Sequence, residues 1–518
     1  MSRPHFQITV IGSGFAGSLL AMIAQRLGFS TLLIERGKHP RFAIGESSTP
    51  LANLLLEEIA VDFDLPFLRP LCKWGSWQKE LPQLGCGLKR GFTFYHHQFD
   101  EPFQPDPRRE RQLLVGASPN ETVADTHWYR PDFDHYFVQQ ADSLGVTCWD
   151  ETELERVIEE AGGMKWTGKR RGEAVEITSE FFVDATGPRG CLFQKLGLSE
   201  SRLRPRLATQ ALFSHFRDVG PLPKSFAIND TPPYPPEQAA VHHVFDGGWV
   251  WVLKFNNGIT SAGVAAKDDL ANNLGFNSRA DAWHRFLKRL PSLAEIFEPA
   301  QAVVPFVYLP RIAFQSSEII GERWALLPSA AGFVDPLLST GFPLTLLGVK
   351  RIAEILRSHW RRTSFGNELQ EYAQQTTAEL DATTTLVEAM YATMNRFEVF
   401  RSLALLYFAA ASFSESARRL GKSHLADSFL LCRNPVFAKQ LNELCLMAKQ
   451  ARSTDTIAEV ERRIFAAIEP FDVMGVTNRS RHHWHPAAVS DLFLNRAKLG
   501  ATEPEITTML QKCGLSSV

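Results

Sequence analysis

Six residues near the start of the chain, Gly12-Ser13-Gly14-Phe15-Ala16-Gly17, have the spacing of a turn that cradles phosphate. An apolar, β-branched run, Phe6–Ile11, leads into them, and a helical pattern from Phe15 to Leu27 leads out. The glycines allow a tight turn and close approach of a pyrophosphate, whose charge rests on the unpaired N–H groups of the helix start. Glu35 closes the next strand, Ser30–Glu35, 18 residues after Gly17. Its carboxylate suits ribose hydroxyls and repels a 2′-phosphate, so the turn predicts the adenosine of FAD or NAD rather than NADP. The sequence has no second turn of this kind, and a dedicated nicotinamide domain is not expected.

Three later stretches also carry functional groups. Gly87-Leu88-Lys89-Arg90-Gly91-Phe92-Thr93-Phe94 sets a lysine beside apolar Leu88, Phe92 and Phe94. Gly248-Trp249-Val250-Trp251-Val252-Leu253-Lys254-Phe255 carries two indoles. Asp335-Pro336-Leu337-Leu338-Ser339-Thr340-Gly341 reads as a loop entering a helix. His96 and His97 follow the lysine stretch and are candidate bases for a phenolic proton. The cluster His482-His483-Trp484-His485 has no acidic or cysteine partner at ligand spacing and reads as a surface element, not a metal site.

The order of the smaller segments resembles the flavin monooxygenases of the para-hydroxybenzoate hydroxylase type. Gly45-Glu46-Ser47 lies behind the Pro40-Arg41-Phe42 turn, and Asp184-Ala185-Thr186-Gly187 ends a strand. Arg130 stands in Tyr129-Arg130-Pro131-Asp132-Phe133, and Asp335 follows Gly332-Phe333-Val334. That resemblance implies FAD contacts from Gly12, Gly14, Ala16, Gly17, Glu35, Arg36, Arg41, Gly45, Glu46, Ser47, Arg130, Asp184, Asp335 and Gly341. Val334 stands where that group carries glycine.

The lysine, tryptophan and Asp335–Gly341 stretches together resemble the flavin-dependent halogenases, most nearly those of small phenols. The resemblance covers about residues 5–355 and extends to a helical C-terminal part. It implies that reduced FAD, O2 and a halide give hypohalous acid, which a buried Lys89 relays to an electron-rich aromatic. Burial lowers a lysine pKa and favours the neutral, nucleophilic amine. Backbone amides of Thr340 and Gly341 at a helix start would hold the halide without the tight grip of a cation. Trp249 and Trp251 would screen flavin from substrate. Leu338 stands where tryptophan halogenases have an activating glutamate, so the substrate is expected to be a self-activating phenol or pyrrole. Leu253-Lys254 replaces the family's Ile-Pro, which changes the turn and adds a charge. Hydroxylation or dehydrogenation on the same scaffold stays open, as does a flavin-binding protein without turnover, although the latter has no need of Lys89.

These segments need an α/β frame: a Rossmann-like FAD-binding domain, an antiparallel substrate-domain sheet and a helical C-terminal region. Residues 1–355 are expected to form the core, with the second sheet inserted at about 75–130 and 200–310, and 356–518 the helical domain. Within this, 100–125 reads as a surface excursion and 218–238, with six prolines, as a loop over the second sheet. Phe133–Leu144 reads as a helix and 240–266 as antiparallel strands. A chain of 518 residues, 44% hydrophobic and 22% charged, can bury cores for two or three domains. A net charge of −2 argues against nucleic acid or an anionic membrane as partner. Seven scattered cysteines with no CxxC pair suit a reducing cytoplasm. No secretory segment is expected at Met1–His5, and the apolar stretch Leu403–Phe413 is too short to span a bilayer. The expected partners are a small aromatic substrate, free or carrier-bound, and a separate flavin reductase; a homodimer is compatible but not required. With one dinucleotide turn, the purified protein is expected to oxidise NADH or NADPH only at a background rate and to depend on added reduced flavin. Rapid stoichiometric NADH oxidation, followed by absorbance, would contradict this.

Overall fold

The computed structural model describes residues 4–160, 163–201 and 207–515. The chain opens with β1 (His5–Ile11), α1 (Phe15–Arg26) and β2 (Thr31–Ile34), followed by α2 (Pro50–Asp62) and α3 (Trp74–Glu80). Four strands come next: β3 (Cys86–Lys89), β4 (Gly91–His96), β5 (Gln112–Gly116) and β6 (Asp125–Trp128). Then come α4 (Arg130–Ser143), β7 (Thr147–Trp149), β8 (Thr152–Glu160), β9 (Gly163–Arg170) and β10 (Glu173–Asp184). The middle of the chain supplies β11 (Thr209–Arg217), β12 (Ala240–Phe245), β13 (Gly248–Lys254) and β14 (Thr260–Lys267).

Trp324–Leu326, β10, β1, β2 and β7 lie side by side and parallel. Every residue of β2 is buried, as expected for a parallel strand with both faces covered. α1 and α4 pack on this sheet, and α4 begins at Arg130 rather than Phe133. Pro131 explains the earlier start, because proline needs no N–H partner in a first helical turn.

The second sheet carries the site on one of its faces. Its main path runs Gln301–Ala302, β11, β14, β13, β12, β4, β5 and Trp484–His485. It is not wholly antiparallel: β12 pairs with β4 in parallel, His242 opposite Phe94. Strand alternation sorts its side chains. Phe92, Phe94, His242, Trp249, Trp251 and Leu253 face the main core, while Tyr95, Val241, Phe245, Val250 and Val252 face a smaller core. The 100–125 stretch is not all surface: β5 within it is buried at every residue, because Leu113-Leu114-Val115 completes the sheet. The histidine cluster is likewise not a surface element. Trp484 and His485 are buried and extend the sheet beside Leu114 and Val115.

The C-terminal helices close over the site face. The helix Phe397–Arg419 has the length and hydropathy of a membrane span, but 89% of its apolar window is buried inside the protein. Phe408 packs on Phe92 at 4.9 Å between ring centroids, and Phe400 on Phe94 at 5.9 Å. Ion pairs tie this helix to α2: Arg418 reaches Glu58 at 2.6 Å and Arg419 reaches Glu57 at 3.1 Å. Burial alone would raise the Glu58 carboxyl, but Arg418 and Lys350 outweigh it and hold the pKa low. Space for Trp251 comes from Gly263 across the ladder: a Cβ there would lie 2.4 Å from the indole and 2.3 Å from Phe213. Gly263→Ala is expected to cost about 1–3 kcal/mol by overpacking. Urea unfolding reads the loss and near-UV circular dichroism the displaced indole.

Candidate functional site

The N-terminus of α1 opens on a cavity of about 420 Å³. Gly14, Ala16, Arg41, Gly45, Arg130 and Gly341 line it, together with Thr340 and Asp335 at its far end. Gly12 and Gly17 shape the turn from within: Gly12 has φ +99°, and a Cβ on Gly17 would lie 1.9 Å from the Gly12 carbonyl. Glu35 accepts from Ser13 N–H and O–H at 3.2 and 2.9 Å, from Gly37 N–H at 2.9 Å and from Arg41 at 3.2 Å. Burial would raise this carboxyl, but Arg41 and the backbone donors prevail and lower its pKa. Arg130 clamps the cavity. Its guanidinium donates to Asp134 at 2.8 and 2.7 Å and to the Ile44 and Gly45 carbonyls at 3.2 and 2.8 Å. Asp134 in turn accepts from Phe15 N–H at 3.2 Å. The open faces of Gly45, Gly187 and Gly341 and the arginine pair fit a dinucleotide, since no protein atom comes nearer than 3.8 Å to a Cβ at any of the three.

Of the residues expected to touch a cofactor, Glu35, Arg36, Glu46, Ser47 and Asp184 do not line this cavity. Arg36 is exposed. Asp184 is fully buried, and its carboxylate is taken by Thr186 N–H and O–H at 2.8 and 2.5 Å and Leu192 N–H at 2.6 Å. It fixes the Ala185-Thr186-Gly187 turn, which does line the cavity. Glu46 pairs with His215 at 2.8 Å, both buried.

Lys89 has no exposed surface. Its ammonium donates to Ser47 Oγ at 2.8 Å and the Ser48 carbonyl at 2.5 Å, and Nζ lies 3.8 Å from the Phe92 ring centroid. Burial pushes the amine well below its ordinary range, against the pull of Asp125 across the β3–β6 ladder. Ser47 also lines a cavity of about 60 Å³ with Glu46, His242, Trp249, Trp251 and Asp335. This cavity adjoins the larger one through Gly45, Asp335, Gly341 and Phe342, which line both. Phe92 forms part of a third cavity, about 50 Å³, with Pro50, Tyr407, Phe408 and Met474. Lys89 therefore lies between them, reached through Ser47 on one side and Phe92 on the other.

The loop before the helix Gly341–His359 carries two residues in the left-handed region. Leu338 and Ser339 have φ of +64° and +56°, a region that side chains rarely occupy. Asp335 anchors it, accepting from Leu337 N–H at 3.0 Å, Trp249 Nε1 at 3.3 Å and Tyr391 O–H at 3.0 Å. Trp249 Nε1 also donates to the Tyr391 oxygen at 3.0 Å. Burial raises the Asp335 carboxyl to about 7 despite these donors.

The tryptophan halogenase family model matches residues 122–400, more than half of the chain. The chain belongs to that family. The monodechloroaminopyrrolnitrin halogenase PrnC of Pseudomonas fluorescens is 28% identical over 78% of this chain and 70% of its own length. The tetracycline 7-halogenase of Kitasatospora aureofaciens is 27% identical over 98% and 95%. The crystal structure of halogenase PltM superposes with a TM-score of 0.81 at 23% identity, covering 92% of this chain and 99% of that one, and so shares the fold.

The Leu253-Lys254 pair, in place of the family's Ile-Pro, forms the end of β13, and a turn at Asn256-Asn257-Gly258 follows it. Trp249, Trp251 and Leu253 point inward, and Lys254 points outward to Glu237 at 2.5 Å. His96 and His97 are not aimed at Lys89. His96 stacks on Phe397, and His97 contacts His243 at 2.9 Å on the opposite face. The histidines near Lys89 are His127 and His242, which sequence reasoning missed; burial holds His242 at about 3 and His127 well below its usual range. Both sit on strands whose pairing the sequence does not state. Asp335 yields a signed pH dependence for the halogenase-family chain. Its raised carboxyl favours folding while protonated, and that contribution is lost as pH rises from the unfolded value of about 4 through about 7. Asp335→Asn removes the ionisation, so the variant is expected to gain stability relative to wild type from pH 4 to 7 and to level off above. Urea unfolding of both proteins across that range is the measurement.

Proposed function

We propose that the protein is a flavin-dependent halogenase of an electron-rich aromatic such as a phenol or pyrrole, in which Lys89 relays the halogen. The observation that carries this is a lysine amine without solvent contact, hydrogen-bonded to Ser47 and set between a small cavity that adjoins the larger one and an aromatic-lined one. FAD fits the larger cavity: the Gly12–Gly17 turn holds its pyrophosphate, Glu35 its ribose, and Arg41 and Arg130 balance its charge. When bound and reduced, FAD supplies the oxygen activation that turns halide into hypohalous acid.

The remaining work belongs to side chains and amides of this chain. Thr340 and Gly341 offer backbone N–H groups to the halide at a helix start. Trp249 and Trp251 wall the passage, so an aromatic substrate cannot reach the flavin side. Hypohalous acid is small and indiscriminate; Lys89 captures it and passes the halogen on across Phe92. Tyr407 and Phe408 close the substrate side, in keeping with residues 1–355 as the catalytic core and 356–518 as a helical cover. Leu338 offers no acid to polarise an unactivated ring, which favours a ring that donates its own electrons. Among the relatives, a Pseudomonas fluorescens chlorinase of pyrrole-2-carbonyl on a peptidyl carrier protein, 26% identical, keeps both free and carrier-bound acceptors in view. Reduced flavin comes from a separate reductase, since the chain has one dinucleotide turn. The seven cysteines are all free, in keeping with a reducing cytoplasm. One chain holds the whole site, so a dimer is not needed for chemistry.

The test supplies reduced FAD, O2 and chloride or bromide with a panel of phenols and pyrroles, and reads products by mass spectrometry. Wild type should add halogen without oxygen. Lys89→Ala should lose halogenation by about a hundredfold or more, while binding FAD and reoxidising it normally. Absence of halogenated product at saturating bromide across the panel, or a variant as active as wild type, would overturn the reading.

A further inference from the structure

Lys89 stands opposite Asp125 in the antiparallel β3–β6 ladder, so the two side chains leave the same face. Asp125 is 5% exposed. One carboxylate oxygen accepts from Asn53 Nδ2 of α2 at 2.8 Å, and the other is buried without any hydrogen-bond partner. A buried carboxylate oxygen left bare is costly unless it carries a proton or serves a nearby charge. The segment that holds the lysine is pinned to the same strand: Ser48 N–H and O–H donate to the Thr126 carbonyl at 3.2 and 2.8 Å.

We propose that Asp125 is the positioning residue of Lys89, its charge across the ladder setting when the amine is free to take halogen. The proposal rests on the halogenase reading above. Burial disfavours the charged form of both groups, and each supports the charge of the other. The other groups felt by the pair come from three elements. His127 on β6 and His242 on β12 face Lys89, and both are kept neutral by burial. Glu415 and Arg419 on the helix Phe397–Arg419 act on Asp125, and they largely offset each other as an ion pair at 2.7 Å.

The step balances. The third proton of the Lys89 ammonium is lost to bulk solvent in the preceding pH equilibrium, which frees the nitrogen lone pair. The amine attacks the halogen of hypohalous acid; an N–X bond forms, the X–O bond breaks, and one N–H proton leaves with hydroxide as water. The ring carbon then takes the halogen, and the N–X electron pair returns to nitrogen with the ring proton. Asp125 takes no part in these bond changes, so its role is to hold and tune Lys89.

The experiment follows the Lys89 13Cε shift with pH in lysine-labelled protein, the resonance being assigned by its loss in Lys89→Met, alongside kcat against pH. Removing the carboxylate in Asp125→Asn takes away the charge that supports the ammonium. The Lys89 midpoint is expected to fall by about one pH unit or more, and the rising limb of kcat to move to lower pH by the same amount. Asp125→Glu should keep both near wild type. If Asp125→Asn does not fold, Asn53→Ala keeps the carboxylate but removes its donor. The carboxylate then takes up a proton of its own more readily and loses its charge, and the midpoint should move the same way by a smaller step. A purely structural Asp125 would lower the melting temperature and leave midpoint and limb in place, which would overturn the proposal. Wild-type protein that makes no halogenated product fails the halogenase reading instead, and the titration then decides the pairing by itself.

Discussion

An ammonium group with no solvent contact is the constraint that the rest of the site answers. Lys89 cannot be hydrated, so its protons must find protein acceptors, and its charge must be matched or given up. Ser47 and Ser48 supply the acceptors from the segment behind the nucleotide turn. Asp125 supplies the counter-charge from the neighbouring strand, and Asn53 steadies it from α2. These five residues come from four separate elements. A shift in any of them would leave a buried polar group bare, which typically costs about 1–3 kcal/mol. The lysine's setting therefore depends on the separate two-stranded β3–β6 ladder, the Ser47–Ser48 segment and the α2 packing together.

Strand alternation does the sorting that the chemistry needs. On the second sheet, residues of one parity meet the main core and the others the outer one. This is why Phe92, His242, Trp249 and Trp251 share a face, and why Lys254 adds its charge outside rather than in the site. A lysine one position beyond the last inward residue would have been read from the sequence as an intrusion into the tryptophan region. Strand parity decides otherwise: Lys254 follows inward-facing Leu253 and so turns out to Glu237.

Local signals made much of this legible. The nucleotide turn, Glu35, Lys89, the two tryptophans and the Asp335 loop are each compact stretches in which residue type and geometry are linked within a few positions. The chain's fold class followed from the same signals. What escaped were groups joined only by folding. Asp125 and Asn53 lie in unremarkable sequence, Tyr391 comes from a helix 56 residues after Asp335, and Asp134 reaches Phe15 across 119. β5 was hidden because its five residues sit in a polar, proline-rich surround whose average composition outweighs them. Asp184 shows the opposite error. Its place at a strand end suggested a ligand contact, whereas its carboxylate is consumed in shaping its own turn. Arg36 lies beside a functional glutamate in sequence but points to solvent, as period-two alternation at a strand end allows.

The helical region is part of the site rather than an addition to it. Tyr391 reaches the Asp335 loop, so one helix from the C-terminal part shares a hydrogen-bonded triangle with the loop and with Trp249 on the second sheet. The next helix carries Tyr407 and Phe408 to the cavity beyond Phe92 and, through Arg418 and Arg419, is fastened to α2. Asn53, which steadies Asp125, stands on that same α2. The cover that excludes water from the substrate side is thus mechanically connected to the group opposite the lysine. The cavity beyond Phe92 and the burial of the amine share one packing contact, since Phe408 of that helix packs on Phe92, whose ring centroid lies 3.8 Å from Lys89 Nζ. Loosening that helix would admit water and solvate the ammonium, and a hydrated lysine would return to its ordinary, protonated range.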